Sequence, residues 1–161
     1  MVLLVVNPLT GKRGSMWESR RSGVTLEIIG QRFGVTRQAV CRALHISGKK
    51  IGKTFNELAE TYKILPEIID PKRGFLKGYS QVLGSDVLLV YSSDQGFQLW
   101  YKSSDRCGEC MLADSCRDSL LMHAERLGVV FSEKELAMLP ARFAQVVFER
   151  AWPEMSSDGR D

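Results

Sequence analysis

The sequence predicts an α+β fold. An all-helical N-terminal helix-turn-helix domain is expected over 1–65. A small domain over 66–155 comes next, with a three-stranded antiparallel sheet covered by C-terminal helices. Three observations predict this. Apolar residues recur at helical spacing between about residues 10 and 65. Beyond Pro66 come the strand-like runs GFLKGYS, DVLLVY and FQLWY, separated by turn residues. After Cys116 the helical spacing returns. A chain of 161 residues has room for one domain or two small ones. Its 44% hydrophobic and 25% charged content fit a folded globular chain.

The N-terminal VLLVV reads as a short strand or a hydrophobic anchor, stopped by Asn7-Pro8. It is too short for a signal-peptide core, and no apolar run approaches the roughly 20 residues needed to span a bilayer. A cytoplasmic protein without membrane association is the expectation. A helix then starts near Thr10 and runs through Met16 and Trp17 to about Arg21, closed by Ser22-Gly23. Met16, Trp17 and Val24 are expected to pack on the helix-turn-helix as its support. Lys12, Arg13, Arg20 and Arg21 leave a charged outer face.

Thr25 to His45, TLEIIGQRFGVTRQAVCRALH, reads as two short helices joined by a tight turn. Ile29 and Phe33 share one face of the first. Gly34 suits the left-handed residue that ends a helix. Val35 is expected to plug the turn, and Thr36 to cap the second helix. Val40, Ala43 and Leu44 form that helix's buried face, and Gly30 sits where two crossing helices come close. This is the spacing of a DNA-binding helix-turn-helix. Gly48 is expected to interrupt or end the second helix. A further helix is expected from about Lys49 to Ile64. Its Ile51, Phe55, Leu58, Tyr62 and Leu65 make a heptad-like seam. The seam reads as a dimer contact, marginally ahead of packing within the chain, so a homodimer is expected.

In such a motif the second helix lies in the major groove, here over about 36–47. Thr36, Arg37, Gln38, Cys41, Arg42 and His45 would meet bases, with Arg37 or Arg42 gripping guanine and Gln38 adenine. Arg32, Lys49, Lys50 and Lys53 would contact phosphates. Charge is distributed accordingly. Residues 1–63 carry eleven Lys/Arg against four Glu, a net +7, and residues 64–161 carry a net −4. A basic half of this kind suits a partner such as double-stranded DNA.

TLEIIGQRFGVTRQAVCRAL resembles the helix-turn-helix shared by region four of bacterial sigma factors and many prokaryotic regulators. The start at Leu9-Thr10 with MWESRRSG is similar to that group's support helix, and to the opening of the small archaeal regulators called Tfx. The resemblance covers about residues 9–47. It implies reading positions at Thr36, Arg37, Gln38, Cys41 and Arg42. Ile28 stands where a polar surface residue is usual, and Cys41 where Ser is common. The second half has no counterpart in sigma factors and resembles only uncharacterised archaeal regulators, which implies a stand-alone regulator.

Three of the four cysteines cluster as C-x2-C-x5-C: Cys107, Cys110 and Cys116. No export signal accompanies them, so metal binding or redox chemistry is the better expectation than structural disulfides. The first pair suits a knuckle holding one metal between two thiolates. Cys116, at the start of a helix, is expected to have a low pKa. His123, Asp105 and Asp114 are candidates for a fourth ligand. The spacing also resembles the last three cysteines of the iron–sulfur loop of some DNA glycosylases, whose first cysteine would fall at Trp100. Zinc, an iron–sulfur cluster and a disulfide switch all stay open. Helices are expected over about 112–127, 132–138 and 140–152, with Ser132 and Glu135 forming a capping box. The expected function is a sequence-specific transcription regulator whose second half senses metal, redox state or a ligand. A nucleic-acid enzyme with a targeting module and a dimerisation-only platform are the alternatives. No carboxylate or Ser/His constellation converges in the sequence, so no catalysis is expected.

Overall fold

In the computed structural model, which describes residues 2–4, 7–101, 107–126 and 128–151, the chain divides into two compact units, Met1–Tyr101 and Lys102–Asp161. The first contains β1 (Val2–Leu4), α1 (Gly11–Arg21), α2 (Leu26–Phe33), α3 (Arg37–Thr61), β2 (Ile64–Asp70), β3 (Phe75–Ser80), β4 (Ser85–Ser92) and β5 (Gly96–Tyr101). The second contains a 3-10 turn (Cys107–Glu109), α4 (Ala113–Arg126), α5 (Glu133–Leu136) and α6 (Pro140–Ala151).

The helix begun at Arg37 does not stop at Gly48. It continues as one helix of 25 residues, about 37 Å long. A glycine inside a helix costs about 1 kcal/mol against alanine. Burying Ile51, Phe55 and Leu58 further along contributes roughly 1.5–3 kcal/mol each, so the helix persists. These side chains and Ala59 pack with Leu76, Val87, Leu89, Tyr91, Phe97 and Leu99 of the sheet. The rings of Phe55 and Phe97 lie 5.0 Å apart, edge to face. The heptad-spaced residues are therefore largely used inside the chain: Ile51 and Phe55 are fully buried, and a second copy would need another surface.

Five antiparallel strands, in the order β1-β5-β4-β3-β2, correct the expected three. β1 adds to β5 with Val2 opposite Leu99. β2 adds to β3 with Ile64 opposite Ser80. The expected domain boundary at 65/66 falls inside this strand, beside Pro66. Its ring nitrogen has nothing to donate, and an edge strand does not require it to. The register shifts between Pro66 and Ile68, a bulge at the same point. The N-terminal unit is thus not all-helical. Helix-turn-helix and sheet belong to one unit, and its division from the next falls at Tyr101/Lys102 rather than at the expected 65/66. The sheet face carrying Leu89 and Leu99 is covered by α1 and α3.

Helix α1 is tied to the β4–β5 hairpin by polar bonds. The Arg21 side chain is fully buried, not on an outer face, and donates from Nη1 to the Tyr91 carbonyl at 2.5 Å. It lies over the Trp17 ring and pairs with Glu18, whose Oε2 accepts from the Ser93 amide. Trp17 Nε1 donates to the Pro71 carbonyl at 3.2 Å. Burial raises the Tyr91 phenol far above its ordinary range, and its OH donates to Asn7 Oδ1.

In the second unit α4 packs on α6. Ser132 and Glu135 form the expected capping box at α5. Arg150 pairs with Glu135 and lies over the Phe131 ring, which meets Phe143 edge to face. Residues 127 and 152, the expected ends of two helices, lie outside the described residues, as does Asp105.

Candidate nucleic-acid interface

Two threonine caps and one glycine turn build the site. Thr25 Oγ1 accepts from the Ile28 amide at 3.4 Å and starts α2. Gly34 ends it in the left-handed conformation, φ 65° and ψ 37°. The Val35 amide then bonds back to the Gly30 carbonyl at 3.0 Å. A Cβ at Gly30 would sit 2.8 Å from the Val35 carbonyl oxygen, so only glycine permits this approach. Thr36 Oγ1 accepts from the Ala39 amide at 3.1 Å and starts α3.

Ile29, Val40 and Met16 form a small buried core joining the three helices, with Val24, Leu26, Phe33, Ala43 and Leu44 packed around it. Val35 is 38% exposed and does not plug the turn. The seal comes from Ile29 and Val40, both fully buried.

Thr36, Arg37, Gln38, Cys41, Arg42 and His45 are all exposed along the first part of α3. They form a row about 13 Å long at the helical rise. Val40, Ser47, Ile51 and Phe55 of the same helix are buried in the protein. The helix start also presents backbone amides of its first turn, ready donors to a phosphate. Arg32, Lys49 and Lys50 are exposed as well. Lys53 is 3.5 Å from Glu57, one turn on.

The structure separates Lys50 from the reading row. With Lys12 and Arg13 of α1 it lines a cleft of about 400 Å³, together with Thr10, Met16 and Ala43. Three cations from two helices make an electropositive shoulder beside α3. Arg20, by contrast, donates to the Val24 carbonyl at the end of its own helix region.

One neighbour of Arg37 is invisible to sequence inspection. Its Nε lies 2.7 Å from Glu27 Oε1, with both side chains mostly exposed. The two residues are ten apart in sequence and meet only because α2 and α3 cross. No helical i, i+3 or i, i+4 rule would pair them.

No disulfide joins any of the four cysteines. The Cys110 amide reaches the Cys107 carbonyl at 3.5 Å, closing the turn between the first pair. Cys116 sits in the first turn of α4. The helix start does not lower its thiol: burial pushes the pKa up, and Cys110 and Cys107 add to the rise. His123 is buried on α4, 1% exposed. Among the described residues no three His, Cys, Asp or Glu side chains come together as a metal site. Three thiolates are a donor set suited to zinc or an iron–sulfur cluster, but they are not gathered into a cage.

No family model, curated protein or solved structure matches the chain. Among the described residues no helix is long and apolar enough to cross a membrane.

Proposed function

We propose that this protein is a sequence-specific regulator that binds double-stranded DNA through the Thr25–His45 helix pair. One observation carries the proposal: a capped, glycine-turned helix pair presents an unbroken polar row from Thr36 to His45 outward. An α-helix of this kind fits the major groove, where guanine and adenine edges accept from Arg and pair with Gln. Arg37, Gln38, Arg42 and His45 would read bases from the row, with Cys41 between them. Arg32, Lys49 and the Lys12–Arg13–Lys50 shoulder would hold phosphates and supply affinity without sequence information.

The thiol segment joins this proposal on donor chemistry alone, as a zinc, iron–sulfur or redox-sensing element. No step of DNA binding is routed through it. Cys41 is exposed on the reading row, so its oxidation would place a bulky polar group at the DNA surface.

Substitution separates the two classes of contact. Arg37→Ala is expected to lose discrimination between the preferred site and unrelated duplex, by roughly 1–3 kcal/mol. Lys50→Ala is expected to weaken binding evenly across sequences and reduce the salt slope by about one. Quantitative gel-shift titrations across salt concentrations read both effects. An Arg37→Ala variant that binds the preferred site as tightly as wild type would show that the recognition helix is misassigned.

A further inference from the structure

We infer that Glu27 is a positioning residue for specificity: it fixes Arg37 through Nε so that both Nη groups face one guanine. The inference rests on the DNA-binding proposal and names the partner atoms of that same site.

The pair is built against local preference. Arg37 is the first residue of α3, at the positive end of the helix dipole, and that first turn contains no acidic residue. Glu27 stands in the first turn of α2, and its carboxylate offsets the misplaced cation across the joint. Both side chains are more than half exposed, at 65% and 60%, and ion pairs in that setting add little to folding stability. The pair's main effect is therefore on how Arg37 is presented.

A guanidinium has five N–H donors in a rigid fork. The Glu27 carboxylate lies against the Nε side of this fork as an ion pair, which leaves the edge formed by the two Nη groups. That edge matches guanine O6 and N7. Arg loses considerable rotamer freedom on binding, and holding it beforehand lowers that cost. The carboxylate has a second consequence. It places negative charge on the DNA-facing side of the joint, where it opposes phosphates of any sequence. Glu27 thus raises discrimination from both directions: it favours the guanine contact and disfavours binding without it.

Such a role predicts changes of opposite sign. Using a duplex selected from a random pool, Kd is measured for that site, for sites with each guanine replaced, and for unrelated duplex. Glu27→Ala is expected to bind unrelated duplex more tightly, by on the order of 2–5-fold at low salt. Its preference for guanine at one position should fall by about 3–10-fold, part of the full value of a bidentate contact. Glu27→Gln keeps the size of the side chain and removes the charge that pairs with Nε. It should show the same non-specific gain and a similar fall in preference. In an Arg37→Ala background, Glu27→Ala should change the guanine preference no further.

Three results would overturn the inference. Glu27→Ala could keep full guanine preference. It could lose specific and non-specific binding in parallel with a lower Tm, the mark of a merely structural role. Its effect on preference could persist without Arg37, which would mean Glu27 contacts a base itself. Wild-type protein lacking salt-dependent duplex binding would instead remove the DNA-binding proposal, and this inference with it.

Discussion

Gly48→Ala tests whether the recognition helix and the core-packing helix are one element. Gly48 lies near the middle of α3, eleven residues past its start. A Cβ built there meets nothing within 4 Å, so alanine brings no clash. Replacing an interior helical glycine then recovers the propensity difference, about 0.8–1.0 kcal/mol. For a unit of about 100 residues this corresponds to a Tm rise of roughly 4–8 °C per kcal/mol. Gly52, one turn on, is the internal control. Its Cβ would lie 3.1 Å from Pro71 Cγ, so the same propensity gain is offset by crowding. Urea unfolding followed by far-UV circular dichroism should show a higher midpoint for Gly48→Ala, an unchanged slope, and a smaller or reversed shift for Gly52→Ala. If Gly48→Ala is neutral or destabilising, residue 48 is not inside a continuous helix, and the placement of the reading row relative to the sheet is wrong.

Gly30→Ala should destabilise by about 1–3 kcal/mol and weaken DNA binding, because its Cβ would crowd the Val35 carbonyl; denaturant midpoints and gel shifts check both, and an unaffected variant would disprove the close crossing. Asp70 closes the β2–β3 turn by accepting from the Lys72 and Arg73 amides at 3.0 Å and from Arg73 Nε at 2.8 Å. Burial acts to raise its pKa, but Arg73 and the Lys72 amide outweigh it and hold the carboxyl below the ordinary value of 3.8. A depressed folded pKa gives stability that is present at neutral pH and lost as pH falls below that value. The advantage of wild type over Asp70→Asn should therefore be full at pH 7 and vanish in acid; a constant difference would contradict it. Protein purified without oxygen is expected to carry zinc or iron near one per chain, lost in a Cys110→Ala variant; fully folded, metal-free wild type would remove the metal assignment.

The helix-turn-helix was legible because each of its parts has a local cause. Thr25 and Thr36 cap, Gly34 turns left-handed, Gly30 admits the crossing, and Ile29 and Val40 meet between the helices. The Ser132–Glu135 box and the strands around residues 75–101 were equally local. The remaining features were decided by tertiary context. Pro66 argued against a strand, but β2 is an edge and has no need of that N–H. Gly48 argued for a helix end, but the sheet buries Ile51 and Phe55 beyond it. The seam at Ile51, Phe55 and Leu58 has the spacing of a dimer contact, and periodicity alone cannot say which partner buries it. Arg21 looked like surface charge until Tyr91 and Trp17 enclosed it. Glu27 and Arg37 meet only through the crossing of two helices, so no spacing along the chain announces the pair.

Selection of bound duplex from a random DNA pool, then salt titration on the enriched sequence, tests the central claim most directly. Enrichment of one shared motif containing a guanine whose replacement weakens wild type but not Arg37→Ala is the expected result, with affinity falling steeply as salt rises. A pool that emerges without a shared motif, or binding indifferent to salt, would contradict it.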